Sequence, residues 1–365
     1  MKKVLLLCVT SQDIYNFRLP LIKALIERGC IVQAVAFDDK YENELNIDGC
    51  QFLYIKNNNR STNPLSLIAL KKVYKKIIKE FNPEIVLTFM VKPNVIGPVV
   101  SHKLGVKKIY CVVEGAGEVF GGNSFRMKLL KKIECFFYKR SFCFADAIFF
   151  LNGDDKEEFL SLKLLKPFQA KMINGIGVDL EKFPLSDFDY DSESFVMAAR
   201  MLKTKGVVEY CECARVVKQF FPHAIFYYLG SEDELTEESI RDYIANKSIN
   251  YCGNVKDVRP YISKSIAFVL PSYYREGLPM SIMEAESMGR CIITTDNIGC
   301  RDTVVDNING FLVKPKSIDE LVEKCLMLLK DKELAKKMGL KAREYAEKNY
   351  DQRVVNESFL TEIGI

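Results

Sequence analysis

Residues 195–220 read FVMAARMLKTKGVVEYCECARVVKQF, and this stretch decides the fold. An apolar run, Phe195–Ala199, leads into a basic turn that closes at Gly206, and helical spacing continues from Val207 to Phe220. A short apolar run is typical of a strand that is buried on both faces of a parallel sheet. The stretch therefore predicts one strand–turn–helix unit of an α/β protein.

Similar units recur along the whole chain of 365 residues. In the first half, the apolar runs predict strands over residues 4–9, 31–37, 52–55, 85–89, 108–113 and 147–151. In the second half, further strands are predicted over residues 224–229, 249–252, 267–271 and 291–295. Helical spacing fills most of the intervals, including residues 20–28, 65–80, 95–104, 127–144, 240–246, 280–288 and 317–329. Alternating strands and helices in both halves predict two doubly wound parallel sheets.

The two halves are separated by a stretch that lacks either periodicity, residues 180–194. It contains Pro184 and three aspartates at alternate positions, Asp187, Asp189 and Asp191. These aspartates follow no strand of a nucleotide-binding unit, so we interpret the stretch as a solvated join. The sequence thus predicts a first domain over residues 1–180 and a second domain that begins at residue 181.

Charge is distributed unevenly between the two halves. Residues 1–180 contain 27 basic and 18 acidic side chains, whereas the remainder contains 25 basic and 30 acidic side chains. A basic half favours an anionic surface as a partner. No nucleic-acid recognition motif accompanies the charge, so we do not expect nucleic acid to be that partner. No uncharged run of 18 apolar residues occurs, and therefore no membrane-spanning helix is predicted.

Two predicted helices in the basic half concentrate the positive charge. One carries five lysines within residues 71–79, and the other combines apolar and basic residues over 126–140. Basic amphipathic helices of this kind can lie on an anionic bilayer. The alternative is that each packs on the core and exposes only a solvated lysine face. The sequence leaves both interpretations open.

Several cofactor classes lack their sequence signatures. The first strand is followed by Thr10-Ser11-Gln12-Asp13 rather than by the glycine-rich turn of a dinucleotide-binding fold, and no P-loop is present. The chain has two histidines, His102 and His223, and no Cys-x-x-Cys pair. We therefore expect neither a bound metal nor an organic cofactor.

Charged residues follow two of the predicted strands in the second half. Arg200 and Lys205 come after the strand at 195–199, and Lys205 stands at the entrance of the next helix. A guanidinium, an ammonium and a helix N-terminus can together neutralise a diphosphate without a metal. The alternative is an ordinary pair of solvated charges at the edge of a sheet.

The strand at 267–271 leads into a second candidate segment. Glu276 is followed by Gly277 and Leu278, and Glu284 lies eight residues after it on a predicted helix. Two carboxylates at this separation could bind sugar hydroxyl groups on either side of a diphosphate. The backbone amides near Gly277 and Leu278 could bind a phosphate at the helix N-terminus. Two surface glutamates on an amphipathic helix would give the same pattern.

These segments resemble the family 4 retaining glycosyltransferases. The resemblance rests on Arg200-x4-Lys205-Gly206, Leu270-Pro271-Ser272, Glu276-x7-Glu284 and Asn309-Gly310-Phe311-Leu312-Val313, preceded by Asn174-Gly175-Ile176-Gly177-Val178-Asp179. In the first half, Ile14–Arg18 and Val113–Gly117 resemble a bacterial branch that includes the undecaprenyl-diphosphate-linked N-acetylgalactosaminyltransferases. The resemblance implies the GT-B fold, in which two Rossmann-like domains face a central cleft. It also implies a second domain over residues 181–344 and a C-terminal helix within 345–365 that returns to the first domain.

The resemblance implies a role for each matching residue. Arg200, Lys205 and Glu276 would be catalytic, with the two cations holding the diphosphate of the donor and Glu276 binding its sugar. Donor binding would also involve Gly277, Leu278, Glu284, Gly253, Asn254, Val255 and Ser11. Glu114, Gly115 and Asn16 would belong to the acceptor or sugar loop.

Two departures from the family pattern concern the first half. Many relatives have a Gly-Gly pair where this chain has Ser11-Gln12-Asp13, and many have a histidine where this chain has Glu114. These differences leave open whether Glu114 is a site residue or only part of a loop beside Gly115.

The function implied by the resemblance is the transfer of a hexose or N-acetylhexosamine, with N-acetylgalactosamine favoured, from a UDP-sugar to a lipid-linked oligosaccharide. The acceptor would carry undecaprenyl diphosphate, and the protein would act in the cytoplasm at the inner face of the plasma membrane. One alternative is an isomerase similar to the non-hydrolysing UDP-sugar 2-epimerases. The other is a module that binds nucleotide sugars without turnover.

Overall fold

The computed structural model describes residues 1–56, 64–122 and 124–365. These residues form two compact units, and the second is inserted within the first. The first unit comprises Met1–Ile176 and Arg353–Ile365, and the second is Gly177–Gln352.

The first unit contains a seven-stranded parallel sheet. Its strands are β1 (Lys3–Leu7), β2 (Ile31–Ala36), β3 (Cys50–Tyr54), β4 (Ile85–Phe89), β5 (Lys108–Val113), β6 (Ala147–Phe150) and β7 (Ala170–Met172). The order across the sheet is β3-β2-β1-β4-β5-β6-β7. The chain thus winds outward in one direction from β1 and in the other from β4, which is the doubly wound pattern predicted from the sequence.

Helices cover the sheet of the first unit. Before the second unit begins, the described helices of eight residues or more are α1 (Leu19–Glu27), α2 (Pro64–Phe81), α3 (Val91–Lys103), α4 (Phe125–Phe142) and α5 (Gly153–Ser161). Shorter helical segments are Ser11–Asp13, a π-helical turn at Ile14–Arg18, Glu42–Leu45, Gly117–Gly121 and a 3₁₀ turn at Pro167–Gln169. Within the described residues, no helix combines the length and the apolar character required to cross a bilayer.

The second unit repeats this architecture with six parallel strands. They are β8 (Ser194–Ala198), β9 (Ile225–Leu229), β10 (Asn250–Tyr251), β11 (Ala267–Leu270), β12 (Cys291–Thr295) and β13 (Gly310–Val313), in the order β10-β9-β8-β11-β12-β13. Its longer helices are α6 (Val207–Phe220), α7 (Met280–Ser287), α8 (Ile318–Lys330) and α9 (Lys332–Asn349). Shorter helices lie at Lys203–Lys205, Glu237–Ile240, Arg241–Ala245, Arg259–Lys264 and Arg301–Thr303.

The last helix, α10 (Gln352–Glu362), belongs to the first unit from Arg353 onward. The ring of Phe359 packs 4.7 Å from that of Phe149 on β6, and the hydroxyl of Tyr110 donates to the carbonyl oxygen of Ile363 at 3.2 Å. The sequence placed the return at residue 345. The structure keeps 345–352 in the second unit, because α9 packs on α7 and β12.

The join predicted over 180–194 differs from a free linker, because a buried arginine binds part of it. Arg290 is only 1% exposed, and its guanidinium donates to the backbone carbonyl oxygens of Ser186 and Asp187. It also donates to the carbonyl oxygens of Ile262, Ser263, Met288 and Gly289 and to the Ser186 hydroxyl. The side chains of Asp187, Asp189 and Asp191 are exposed, as predicted, but the backbone around Ser186 is fixed to the second unit.

Arg290 gives a testable prediction about stability. In Arg290→Leu, six carbonyl oxygens each lose one hydrogen-bond donor, at a total cost of about 3 kcal/mol or more. We expect the Tm of the transition that reports on the second unit to fall by about 6–12 °C, measured by circular dichroism. The matched control is Arg215→Leu, which removes an exposed arginine paired only with Glu212 on the same helix and should shift Tm by at most a few degrees. Equal shifts in the two variants would contradict the structural role of Arg290.

Candidate active site

The predicted site residues of the second unit follow strands at the carboxyl edge of its sheet. Arg200 and Lys205 follow β8, and the segment from Pro271 to Glu284 follows β11. These two strands are neighbours at the position where the winding direction reverses. In open α/β sheets, ligands bind outside the carboxyl ends of the strands at this position.

Lys205 and Glu276 meet at this edge. The Lys205 Nζ lies 2.5 Å from the Glu276 Oε1, and the Ser272 hydroxyl donates to the same oxygen at 2.9 Å. The side chains of Lys205 and Glu276 are 15% and 9% exposed. The ammonium also lies 5.1 Å from the centre of the Tyr274 ring. A lysine, a carboxylate and a hydroxyl thus form one partly buried polar cluster.

Gly206 allows the two loops of this cluster to approach each other. Its φ is +79°, and a Cβ at this position would lie 2.2 Å from the carbonyl oxygen of Pro271. The turn before it therefore lies directly against the end of β11, where the amides of Tyr273 and Tyr274 both donate to the carbonyl oxygen of Thr204 at 2.8 Å. Only glycine combines this φ with this close contact.

The loop after β12 supports the other side of Glu276. The amide of Glu276 donates to the carbonyl oxygen of Ile298 at 3.3 Å, and the Asn297 side chain donates to the carbonyl oxygen of Tyr274 at 2.6 Å. Gly299 has a φ of +78°, and a Cβ there would lie 2.6 Å from the carbonyl oxygen of Glu276. The backbone that carries Glu276 is therefore fixed from both neighbouring loops.

Helix α7 begins after Gly277 and Leu278 and carries Glu284 in its second turn. Burial raises the pKa of the Glu284 carboxyl to about 7, and the nearby positive charge of Lys182 opposes this rise. The helix N-terminus has no side-chain cap, since its N-cap residue is Pro279. Backbone amides at such an N-terminus attract anions.

Hydrogen bonds of the Asn309 side chain fix helix α7 to the segment before β13. The Asn309 side chain donates to the Glu286 Oε1 at 2.9 Å and to the carbonyl oxygen of Thr303 at 3.2 Å, and its own oxygen accepts from the amide of Val305. Glu286 is fully buried, and this burial raises its pKa well above the ordinary value. Because Glu286 is two residues from Glu284, the contact fixes the helix turn that carries the candidate site residue.

Arg200 and the segment Gly253–Val255 lie at the same edge of the sheet. Arg200 is more than half exposed, and its Nη1 lies 2.9 Å from the Asp233 Oδ2. The structure therefore pairs Arg200 with Asp233, while Lys205 pairs with Glu276. Gly253, Asn254 and Val255 follow β10; Gly253 has a φ of +67° with open space around its Cα, and its carbonyl oxygen accepts from the amide of Gly230.

In the first unit, the candidate residues also follow strands at the carboxyl edge. Ser11 follows β1, and both its amide and its hydroxyl donate to the carboxylate of Asp38, which follows β2. Asn16 is exposed on the π-helical turn that follows. Turns of this type are frequent at functional sites.

Glu114 forms an ion pair with Arg18 in the same unit. The Arg18 side chain is 8% exposed and that of Glu114 is 24% exposed, and the Arg18 guanidinium lies 4.4 Å from the centre of the Phe89 ring. The next residue, Gly115, has a φ of +134°. The ion pair with Arg18 therefore restrains the Glu114 side chain.

Sequence reasoning assigned no role to Arg18, Asp38 or Ser272. Arg18 had one available signal, because it stands between Ile14 and Ile22 at four-residue spacing on an otherwise apolar helical stripe. Asp38 and Ser272 follow strands but had no partner that the sequence could identify. Within the described ranges, no group of three or more His, Cys, Asp or Glu side chains is arranged to hold a metal ion.

Glu284 gives a testable pH dependence. Its carboxyl has an ordinary pKa of 4.5, and burial raises the folded pKa to about 7. The folded state thus binds more protons than the unfolded state between these values, so its stability falls as the pH rises through this window. We expect the Tm of Glu284→Gln to fall less between pH 5 and pH 7.5 than the Tm of the unmodified protein, measured by calorimetry. Glu238→Gln, which changes an exposed glutamate, serves as the control, and a Glu284→Gln profile parallel to the unmodified one would contradict the assignment.

Two protein families match consecutive parts of the chain. Residues 3–152 match the family described as "Glycosyl transferase 4-like", and residues 180–345 match "Glycosyl transferases group 1". The first match lies within the first unit, and the second lies within the second unit and contains Arg200, Lys205, Glu276 and Glu284.

Curated relatives are similar over most of the chain. An N,N'-diacetylbacillosaminyl-diphospho-undecaprenol alpha-1,3-N-acetylgalactosaminyltransferase of Campylobacter jejuni is 28% identical, over 95% of this chain and 94% of its own length. A UDP-Gal:alpha-D-GlcNAc-diphosphoundecaprenol alpha-1,3-galactosyltransferase of Escherichia coli is 27% identical, over 74% of this chain and 71% of its own.

The fold also has counterparts among solved structures. The crystal structure of HepE from Anabaena in complex with UDP and glucose superposes with a TM-score of 0.81, at 14% identity, over 100% of this chain and 99% of that chain. At this identity the likeness concerns the fold, which is the GT-B fold of two parallel-sheet α/β domains. The chain therefore belongs to the glycosyltransferases of the GT-B fold, with a 4-like first domain and a group 1 second domain.

Proposed function

We propose that the protein transfers a sugar from a UDP-sugar to a saccharide linked to undecaprenyl diphosphate, with retention of the anomeric configuration. The sugar is a hexose or N-acetylhexosamine, and N-acetylgalactosamine is favoured by the name of the Campylobacter relative. Support for UDP comes from the name of the Escherichia relative, and both curated names specify an undecaprenol-linked acceptor.

The observation that carries the proposal is the cluster of Lys205, Glu276 and Ser272. Glu276 Oε1 accepts hydrogen bonds from both Lys205 and Ser272. The Ser272 hydroxyl therefore keeps the carboxylate oriented when the Lys205 ammonium turns toward a phosphate. Lys205 then stabilises the charge that develops on the leaving UDP, and Glu276 accepts hydrogen bonds from hydroxyl groups of the donor sugar. Fixed positions lower the cost of reorganisation in the transition state.

Arg200 supplies the second positive charge. Its guanidinium is more than half exposed and is held by Asp233, so a diphosphate can bind it without displacing a buried partner. Two cations and the N-terminus of α7 can neutralise the diphosphate together, which is why the proposal includes neither a metal nor another cofactor. Glu284 binds the ribose, and the backbone at Gly253–Val255 binds the uracil in this scheme.

Retention follows from attack on the face that the leaving group departs from. No carboxylate in the scheme acts as a nucleophile, and a phosphate oxygen of the leaving UDP takes the proton of the acceptor hydroxyl. The relative that uses UDP-Gal forms an alpha-1,3 linkage according to its name, and UDP-galactose is itself an α-glycoside. Donor and product of that relative thus share one configuration.

The first unit binds the acceptor in this proposal. The Arg18–Glu114 pair presents a fixed carboxylate beside Gly115, and Ser11 and Asn16 lie on the segment that follows β1. Carboxylates held in this way bind sugar hydroxyl groups well, because little conformational freedom is lost on binding.

Helix α4 supports a location at the inner face of the plasma membrane. Leu129, Ile133 and Phe136 on its outer face are 46–62% exposed, and Phe125 is 85% exposed. The basic side chains of Arg126, Lys128, Lys132, Lys139 and Arg140 are exposed around them, and α2 adds exposed lysines at 71, 72, 75, 76 and 79. Of the two interpretations left open by the sequence, exposed apolar side chains on α4 favour binding to an anionic bilayer.

Activity tests the proposed roles in the second unit. Lys205→Ala and Glu276→Ala should each lower kcat/KM for sugar transfer about 100-fold or more, because each removes a group that acts on the transition state. Ser272→Ala should lower it about tenfold, through loss of one oriented hydrogen bond. The measurement is UDP release from a panel of UDP-sugars with a synthetic undecaprenyl-diphosphate saccharide as acceptor.

Lys203→Ala is the matched control, since Lys203 is an exposed lysine of the same turn. Full activity of Glu276→Ala would overturn the site assignment. Formation of an epimer of the UDP-sugar without acceptor would instead support an isomerase.

Vesicle binding tests the membrane assignment. Leu129→Glu with Phe136→Glu places two negative charges at the apolar centre of the α4 face. We expect at least a tenfold loss of binding to vesicles that contain phosphatidylglycerol, measured by co-sedimentation at low salt. The control is Phe220→Glu, which changes an exposed phenylalanine of the second unit. If the unmodified protein did not bind these vesicles, the proposed membrane location would be wrong.

A further inference from the structure

A groove of about 160 Å³ lies between α2, α3 and α4 of the first unit. Its floor is formed by α3, and its walls are formed by the other two helices. The lining residues are Leu67, Ile68 and Lys71 of α2, Val95, Ile96 and Val99 of α3, and Phe137 and Arg140 of α4. Six of these eight residues are apolar, and the other two are cations.

Helix α3, which contributes three lining residues to the groove, packs closely against the sheet. A Cβ at Gly97 would lie 2.6 Å from the Cγ2 of Thr88 on β4, so glycine allows the helix backbone to approach the strand. The Asn94 side chain donates to the carbonyl oxygen of Val112 on β5 at 2.8 Å, and the Ser141 hydroxyl of α4 donates to the carbonyl oxygen of Asn94 at 2.6 Å. These contacts fix α3 against the sheet and α4 against α3. The groove lies over Val95 and Val99 of α3.

The residues that line the groove indicate what kind of molecule would bind there. An apolar surface in a groove gains free energy when a hydrocarbon replaces water. Neither Lys71 nor Arg140 forms an ion pair within the part of the chain that the structure describes, and both are exposed. The complementary molecule is therefore an amphiphile with a hydrocarbon chain and an anionic head.

The volume favours a short, branched hydrocarbon segment. A cavity of about 150 Å³ holds a benzene molecule, which has six carbons. The groove thus suits one methyl-branched five-carbon unit in its walls of valine, isoleucine and phenylalanine. The exposed side chains of Ile68 and Phe136 continue the apolar surface, so the remainder of a longer chain can follow α4 into a bilayer.

We propose that this groove binds the first isoprenoid unit of a polyprenyl diphosphate, with Lys71 and Arg140 binding the diphosphate. The proposal rests on the proposed function, because it assigns a subsite to the lipid part of the acceptor. It makes the enzyme selective for polyprenyl carriers over ordinary phospholipids.

A fluorescence experiment tests the groove without requiring activity. The chain has no tryptophan, so Ile68→Trp introduces a single reporter at the groove wall. Geranylgeranyl diphosphate should cause a saturable blue shift of its emission, whereas inorganic diphosphate and dihexanoyl phosphatidylglycerol should not cause this shift. Binding of phosphatidylglycerol with equal affinity, or the absence of a saturable shift, would overturn the proposal.

Substitutions in the groove, compared with a control elsewhere on the surface, test the same proposal. Val99→Phe in the reporter background should raise the Kd for geranylgeranyl diphosphate at least about tenfold, which corresponds to the loss of about two buried methylene groups. Val354→Phe makes the same change at an exposed position of α10 and should leave the Kd unchanged. Lys71→Gln with Arg140→Gln should also weaken binding at least about tenfold. An unchanged Kd in Val99→Phe would overturn the proposal.

Kinetics separates this proposal from the proposed function. Val99→Phe should raise KM for a polyprenyl-linked acceptor about tenfold while KM for the UDP-sugar stays constant; an unchanged acceptor KM would count against the groove. Saturable binding of geranylgeranyl diphosphate in a protein that transfers sugar from no UDP-sugar would retain the groove and reject the proposed function.

Discussion

The contact between Gly206 and the carbonyl oxygen of Pro271 is the constraint on which the candidate site depends. It allows the turn after β8 to reach the end of β11. There the carbonyl oxygen of Thr204 accepts hydrogen bonds from two backbone amides of the loop after β11. Without this approach, Lys205 and Glu276 would stand on separate loops at the edge of the sheet. One position without a side chain therefore converts two strand ends into a single polar cluster.

Buried polar side chains then make the surroundings of this cluster rigid. Arg290 binds carbonyl oxygens from three separate segments, and the contact between Asn309 and Glu286 fixes α7. Buried polar groups are costly unless they are satisfied, so these networks specify one arrangement of loops. The second unit thus presents Glu284 and Glu276 on a backbone with little freedom to rearrange.

The sequence predicted the doubly wound class because apolar runs and helical spacing are local patterns. It also placed Arg200, Lys205 and Glu276 after strands, since that requires only knowledge of where each strand ends. It missed β7, which is only three residues long and includes Lys171, and β13, which begins with Gly310 and was identified only as part of a family motif. It could not predict that Ser272 binds Glu276 or that Arg18 binds Glu114, because these contacts depend on which strands are neighbours. The outer face of α4 was equally inaccessible, because spacing alone does not say which side of a helix meets the core.

The position of α10 has a consequence for biosynthesis. The whole of Gly177–Gln352 is translated before residues 353–365, which complete the first unit by packing Phe359 on Phe149. The first unit therefore cannot acquire this helix until synthesis of the whole second unit is finished. Until that helix docks, the apolar surface of β6 around Phe149 stays uncovered in the nascent chain, and this interval is when the first unit is most exposed to aggregation and chaperone binding.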